Sequence, residues 1–181
     1  MKKLIIAAGL MTALALAAFG MTGGLPVSFA GTWSLDKDKS QGLNQRMQNA
    51  EKVTCVITQT DNTISLEWKI EGGQPPAGGP GGGGGGRGPS GPQTFNLDGK
   101  EVTTDAGGQM GGTSTMKATW AEASKTLELM SVRAGSFSGQ DFKATTTDKM
   151  SLSADGKVLT ITRHSESPRG AQDSTLVLNK Q

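Results

Sequence analysis

Phe29-Ala30-Gly31-Thr32-Trp33-Ser34-Leu35 is the part of this 181-residue chain that is most specific about architecture. We interpret it as the opening of the first β-strand, with Phe29 at the start of that strand. Outward from it, the chain keeps a period-two pattern. From Ile64 to Ile70 every second residue is apolar and the residues between are polar, which indicates a strand with one buried and one exposed face.

The remainder of the chain predicts about ten short strands joined mostly by hairpin turns. Asp98-Gly99 and Asp155-Gly156 are the clearest turn signals, and Asp61-Asn62 is a third. The one candidate helix is short, residues 41–50, with Leu43, Met47 and Ala50 at helical spacing on one face. The fold class is therefore all-β: an antiparallel up-and-down barrel of about eight to ten strands, with a β-sandwich as the alternative.

Short motifs then point to a family. Gly31-Thr32-Trp33, Asp36 with Lys39-Ser40, Asp98-Gly99-Lys100 and residues 153–160 together resemble small exported bacterial lipocalin-like proteins. The Gly-x-Trp opening is similar to that of the lipocalin and fatty-acid-binding protein superfamily. The resemblance implies a β-barrel with an internal cavity for an apolar or amphipathic ligand. It implies no particular ligand and no enzymatic activity.

The same resemblance implies structural roles for Gly31 and Trp33. In lipocalins a basic side chain of the last strand commonly packs over the tryptophan of the Gly-x-Trp motif. Arg163 and Lys180 are the two candidates for that side chain here, and their spacing does not distinguish them. This contact would close the barrel and would not bind ligand.

The N-terminus predicts export. Lys2 and Lys3 precede an apolar run from Leu4 to Phe19, and small residues follow up to Gly24, which is the order of a secretory signal peptide. We expect residues 1–24 to be that peptide, with an uncleaved anchor as the alternative, and residues 25–181 to form one β-barrel domain. The expected location is the periplasm or the medium.

Composition limits the classes of partner. Lys2 and Lys3 account for the whole excess of 18 basic over 16 acidic residues, so the predicted mature chain has no net charge. Such a chain lacks the basic surface of a nucleic-acid-binding protein. No second long apolar run follows, so we expect no stable membrane span after signal removal. Whether the protein has a protein partner is left open.

Residues 72–92 interrupt the predicted domain. They hold 12 of the 27 glycines and 5 of the 7 prolines. Such a segment buries too little apolar surface to offset the entropy of ordering its backbone. We expect a flexible loop within the barrel domain.

Four residues are candidates for ligand contact: Trp68, Trp120, Arg133 and Arg163. The tryptophans are in phase with apolar strand faces, so they either stack on a ligand or pack in the core. The arginines are in phase with inward positions, so they either hold a ligand carboxylate or reach solvent at strand ends. Thr146 and Asp148 share the phase of their apolar neighbours, which favours a solvated interior over a dry one.

No convincing catalytic constellation is present. His164, the only histidine, is in phase with polar positions and is expected at the surface, while the single cysteine, Cys55, is expected to be buried. We therefore expect no enzyme, no cofactor and no metal site. The sequence favours an exported protein that binds a small apolar or amphipathic molecule. The alternative is a structural or protein-interaction module with a filled core.

Overall fold

The computed structural model describes residues 26–72, 91–105, 112–121, 125–137 and 140–181. The predicted signal peptide and most of the predicted glycine-rich loop lie outside these residues. Within them, the elements in chain order are β1 (Gly31–Gln41), α1 (Gln45–Asn49), β2 (Lys52–Gln59), β3 (Thr63–Glu71), β4 (Gln93–Asn96), β5 (Val102–Asp105), β6 (Thr113–Ala121), β7 (Thr126–Phe137), β8 (Gln140–Leu152), β9 (Val158–Ser167) and β10 (Gly170–Lys180).

The ten described strands form a single antiparallel sheet in the order β4-β3-β2-β1-β10-β9-β8-β7-β6-β5. Strands β4 and β6 also approach each other across the gap between the two edges, so the sheet curls into a nearly closed barrel. Nine neighbouring pairs of strands are formed. One of them is β1 with β10, the first and last of the described strands in chain order. The prediction of an all-β up-and-down barrel is confirmed, and the chain does not adopt the sandwich alternative.

Two local predictions are corrected by the structure. The first strand begins at Gly31, so Phe29 precedes it; Phe29 is nevertheless fully buried, and its carbonyl oxygen accepts a hydrogen bond from Trp33 Nε1 at 2.9 Å. The helix is half the predicted length because β1 continues to Gln41. Asn44 then caps α1, accepting a hydrogen bond from the backbone N–H of Met47 at 2.9 Å.

The Asp98-Gly99 turn joins strands that do not pair with each other. Gly99 has φ +79°, as expected for a tight turn, but β4 and β5 are the two opposite edges of the sheet. The sequence signal for a turn was therefore right, while the hairpin it suggested is absent. The turn connects the two edge strands of the described sheet, and Leu97 N–H donates to Asn62 O instead of to β5.

The core fills one part of the barrel interior. Trp33 on β1 and Phe29 before it are fully buried, together with the inward side chains of the neighbouring strands. The largest of these inward side chains are Ile64, Leu127, Met150, Leu159, Ile161, Leu176 and Leu178. Burial of side chains of this size supplies the main stabilisation of a domain whose described part holds no disulfide.

Candidate functional site

The inner face of the barrel changes from apolar to polar along β8 and β9. Met150 pairs with Ile161 in the apolar part, and both are fully buried. One inward position further, Asp148 pairs with Arg163, and the next inward pair is Thr146 with Ser165. The period-two pattern continues through both parts, so only the chemistry of the inward residues changes.

Asp148 and Arg163 form a bidentate ion pair at this boundary. Arg163 Nε donates to Asp148 Oδ1 and Arg163 Nη2 donates to Oδ2, each at 2.7 Å. The side chains are only 12% and 24% exposed, respectively. Burial alone lowers the pKa of Arg163, but the hydrogen bonds and charge of Asp148 outweigh it and hold that pKa above its usual value. The guanidinium is therefore charged and compensated.

Trp68 lies beneath this pair. The guanidinium carbon of Arg163 is 5.9 Å from the centroid of the Trp68 ring, a cation–π contact. Trp68 pairs with Cys55 across β2 and β3, and Cys55 pairs with Trp33 across β1 and β2. Arg163 thus rests on the same inner wall that carries the apolar core.

A cavity of about 120 Å³ opens beside Arg163, between α1 and the inner face of β9 and β10. Its polar lining comes from Asn44, Ser165, Gln172 and Ser174 in addition to Arg163. Its apolar lining is Leu43, Met47 and Leu176. The cavity therefore combines apolar side chains with hydrogen-bonding groups that could fix the orientation of a small molecule.

Gly42 forms the rim of this cavity. It has φ +64°, and a Cβ added there would lie 2.3 Å from the carbonyl oxygen of Asp173. Only glycine permits this approach of the β1–α1 connection to β10. The close contact places the segment that leads into α1 against Asp173 and Ser174 of β10.

A larger cavity, of about 270 Å³, lies on the other side of Gly42 and Leu43. Lys37, which lines it, donates from Nζ to Gln48 O and Ala50 O. Ser40, also in the lining, donates to Asp36 O at 2.6 Å and accepts from Val177 N–H at 3.0 Å. Because these polar groups already hold α1 and the irregular end of β1 in place, we assign the candidate site to the smaller cavity.

The four sequence-predicted contact residues separate into different places. Arg163 lines the candidate cavity and is paired with Asp148, so it does not simply reach solvent; Trp68 contacts Arg163 but is not one of the lining residues. Trp120 stacks on Phe29 with centroids 6.1 Å apart, so it belongs to the apolar part. Arg133 is an inward residue of β7 opposite Ala144, four residues along β8 from Asp148. The fold does not bring Trp120 and Arg133 to the cavity.

Some residues of the site were not foreseen. The sequence placed Asp148 on the inner face but gave no register, so its pairing with Arg163 was invisible. Leu43 and Met47 were recognised as one helical face, but nothing indicated that this face covers the barrel interior. Ser165 and Ser174 carry no motif at all.

The apolar end of the barrel is closed by Trp33 and Lys180, which pair across β1 and β10. Lys180 Nζ lies 5.4 Å from the centroid of the Trp33 ring. Of the two basic candidates, Lys180 is therefore the residue that packs over Trp33. Gly31 leaves room for it, because a Cβ at Gly31 would lie 3.3 Å from Lys180 Cε at φ +144°.

His164 and Cys55 lie where the sequence placed them. His164 is exposed on the outer face, where its ring nitrogens contact Asp173 Oδ1 at 2.6 Å and Glu166 Oε1 at 3.2 Å. Cys55 is fully buried, and burial raises the pKa of its thiol to about 12.

Across the described ranges, no cluster of three or more histidine, cysteine or acidic residues is arranged to hold a metal ion. Nor does any helix in these ranges have the length and hydropathy needed to cross a bilayer.

No protein-family model matches the sequence, and neither does any curated protein. Among solved structures, a crystal structure of zebrafish ileal bile acid-binding protein complexed with cholic acid is similar in fold. The similarity covers 84% of this chain and 98% of that one, at 14% sequence identity and a TM-score of 0.49.

Proposed function

We propose that the protein binds a small amphipathic molecule at the cavity between α1 and the inner face of β9 and β10. One observation carries the proposal: this cavity lies where the inner face changes from apolar to polar. Met47 and Leu176 offer an apolar surface, and Arg163, Ser165 and Ser174 offer hydrogen-bonding groups. Methionine is a suitable lining residue because its flexible side chain adapts to ligands of different shape.

The size of the cavity limits what it holds. A volume of about 120 Å³ is smaller than the roughly 300–1,000 Å³ of a cavity that encloses a whole drug-sized ligand. That space suits the polar end of a ligand and a short apolar portion. A longer apolar tail would pass over Leu43, which precedes α1, and Met47 of α1, and both side chains belong to the core cluster.

A dye titration tests the proposal. An uncharged naphthalene dye, N-phenyl-1-naphthylamine, is titrated into the wild type and into Ser165→Leu, which fills the cavity from β9. The matched control is Thr162→Leu, which adds the same side chain to the exposed face of the same strand. We expect the wild type and the control to bind equally and Ser165→Leu to bind at least tenfold more weakly. Equal binding by all three would place the dye elsewhere and contradict the proposal.

A second candidate function is favoured by the close packing of the rest of the interior. Trp120 stacks on Phe29, and Trp33 is fully buried, so both tryptophans take part in packing of the core. A protein-interaction module would need this packed core for stability and would not need a cavity for a small molecule. Native mass spectrometry of the protein purified from its host separates the two functions, since a carrier retains a small molecule and a module does not.

We also propose that the protein acts after export, in the periplasm or outside the cell. The support is the charge and hydropathy order of residues 1–24. N-terminal sequencing of the exported form should give a first residue between positions 21 and 25. Recovery of the intact N-terminus in a membrane fraction would instead identify an anchor.

A further inference from the structure

We infer that the polar end of the ligand is an uncharged group with an acceptor oxygen, such as a hydroxyl, an amide or an ester carbonyl, and not a carboxylate. This inference rests on the proposed function and specifies the ligand class for the same cavity. It is carried by the way in which Arg163 is already paired.

Arg163 uses one edge of its guanidinium for Asp148. The two hydrogen bonds come from Nε and Nη2, which is the side-on arrangement. A guanidinium has five N–H donors in a planar fork, so this arrangement leaves the Nη1 donors and the second Nη2 donor for another acceptor. Within the described residues Arg163 makes no further hydrogen bond, and it lines the cavity. The remaining edge is thus available to a ligand oxygen.

The positive charge of Arg163, unlike its remaining N–H donors, is not available to a ligand. Asp148 lies 2.7 Å from it in a partly desolvated position, so the pair is neutral as a unit. A ligand carboxylate at the remaining edge would add a second negative charge beside Asp148, which like-charge repulsion and burial both disfavour. A neutral acceptor receives the same hydrogen bonds without that repulsion.

The rest of the cavity is uncharged. Its other polar lining residues are Asn44, Ser165, Gln172 and Ser174, which donate or accept but carry no charge. Arg133, an inward cation of β7, lies opposite Ala144. That position is four residues from Asp148 along β8, roughly 13 Å at the rise of a strand. Among the residues that line the cavity, Arg163 alone carries a positive charge, and Asp148 already neutralises that charge.

Three ligands with one chain length test this chemistry: decan-1-ol, decanamide and decanoate, each used at pH 8 to displace the naphthalene dye. We expect decanol and decanamide to displace it at concentrations at least tenfold lower than decanoate. Decanoate as effective as decanamide would overturn the inference and leave the proposed function standing. Failure of all three to displace bound dye, or of the dye to bind, would overturn both.

A variant separates the effect of the ion pair from the general tendency of an uncharged ligand to leave water for an apolar site. Asp148→Asn leaves the cation of Arg163 without its partner, so the ratio of decanoate to decanol affinity should rise at least tenfold. Glu128→Gln is the matched control, because it removes one negative charge from the outer face of β7. An unchanged ratio in Asp148→Asn would overturn the inference. If circular dichroism shows that Asp148→Asn does not fold, the comparison of decanamide and decanoate in the wild type decides.

Discussion

Asp148 and Arg163 lie opposite each other on β8 and β9 and share two hydrogen bonds of 2.7 Å inside the barrel. They stand at the point where the interior changes from hydrocarbon to hydroxyl and amide groups. A buried pair of this kind is costly to form, since both ions leave water, but more costly to break. It fixes a charged but compensated guanidinium beside the cavity.

Breaking the pair should destabilise the protein. Asp148→Ala leaves Arg163 as an uncompensated cation in the interior, and we expect the free energy of unfolding to fall by about 3 kcal/mol, the low end for buried pairs because Arg163 is 24% exposed. The double variant Asp148→Leu/Arg163→Met should recover most of that loss. Urea unfolding of the single and double variants measures both, and a double variant that loses more than Asp148→Ala would contradict this account.

The two tryptophans Trp33 and Trp120 should differ in their contribution to stability. Trp33 is fully buried, so Trp33→Ala should cost about 3–5 kcal/mol of unfolding free energy. Trp120 is only half-buried, so Trp120→Ala should cost less. Lys180→Gln, which removes the cation over Trp33, should cost about 0.5–1 kcal/mol. Equal losses for the two alanine variants in denaturant melts would contradict this difference between the tryptophans.

His164 makes stability depend on pH in a defined direction. Its hydrogen bonds to Asp173 and Glu166 raise its pKa above the ordinary value of 6.5. A raised folded-state pKa means that the stabilisation is fully present below pH 6.5 and disappears as the pH rises through the folded-state pKa. The stability difference between the wild type and His164→Gln should therefore be larger at pH 5.5 than at pH 9. Asp173→Asn is the control, and it should bring the NMR-measured pKa of His164 back towards 6.5.

Cys55 should be unreactive in the folded protein. Burial raises the pKa of its thiol to about 12, so almost none of it is thiolate at pH 8. Dithionitrobenzoate should modify less than one tenth of the protein within the time in which the guanidinium-unfolded chain reacts completely. Because the chain has one cysteine, all of the thionitrobenzoate released by the protein reports on Cys55. Rapid reaction of the native protein would mean that the barrel opens to the reagent next to Trp33.

Much of the fold was predictable because strand alternation and turn chemistry are local. The pattern from Ile64 to Ile70 predicted a strand whose inward residues are now seen packed against the core. The Asp155-Gly156 turn was equally local, with Gly156 at φ +67° and Asp155 accepting from the Lys157 N–H. At Asp98-Gly99 the local signal predicted the turn but not which strands pair on either side of it, because strand pairing depends on how the whole sheet curls.

The candidate site was predictable only in part, for the same reason. Phase placed Asp148 and Arg163 on the inner face, but an ion pair needs a register between strands, which a one-residue shift would destroy. The cavity depends in addition on Gly42 and α1, and their position over β10 is a long-range contact.

By itself, the sequence determined the all-β class, the turns, and the alternation of inward and outward residues along the strands. These follow from the conformational preferences of residues close together in the chain. Only the tertiary structure decided that Lys180 covers Trp33, that Asp148 neutralises Arg163, and that α1 leaves a small half-polar cavity beside it. Each of these contacts joins residues on different elements, so it exists only once sheet closure has fixed their register and distance.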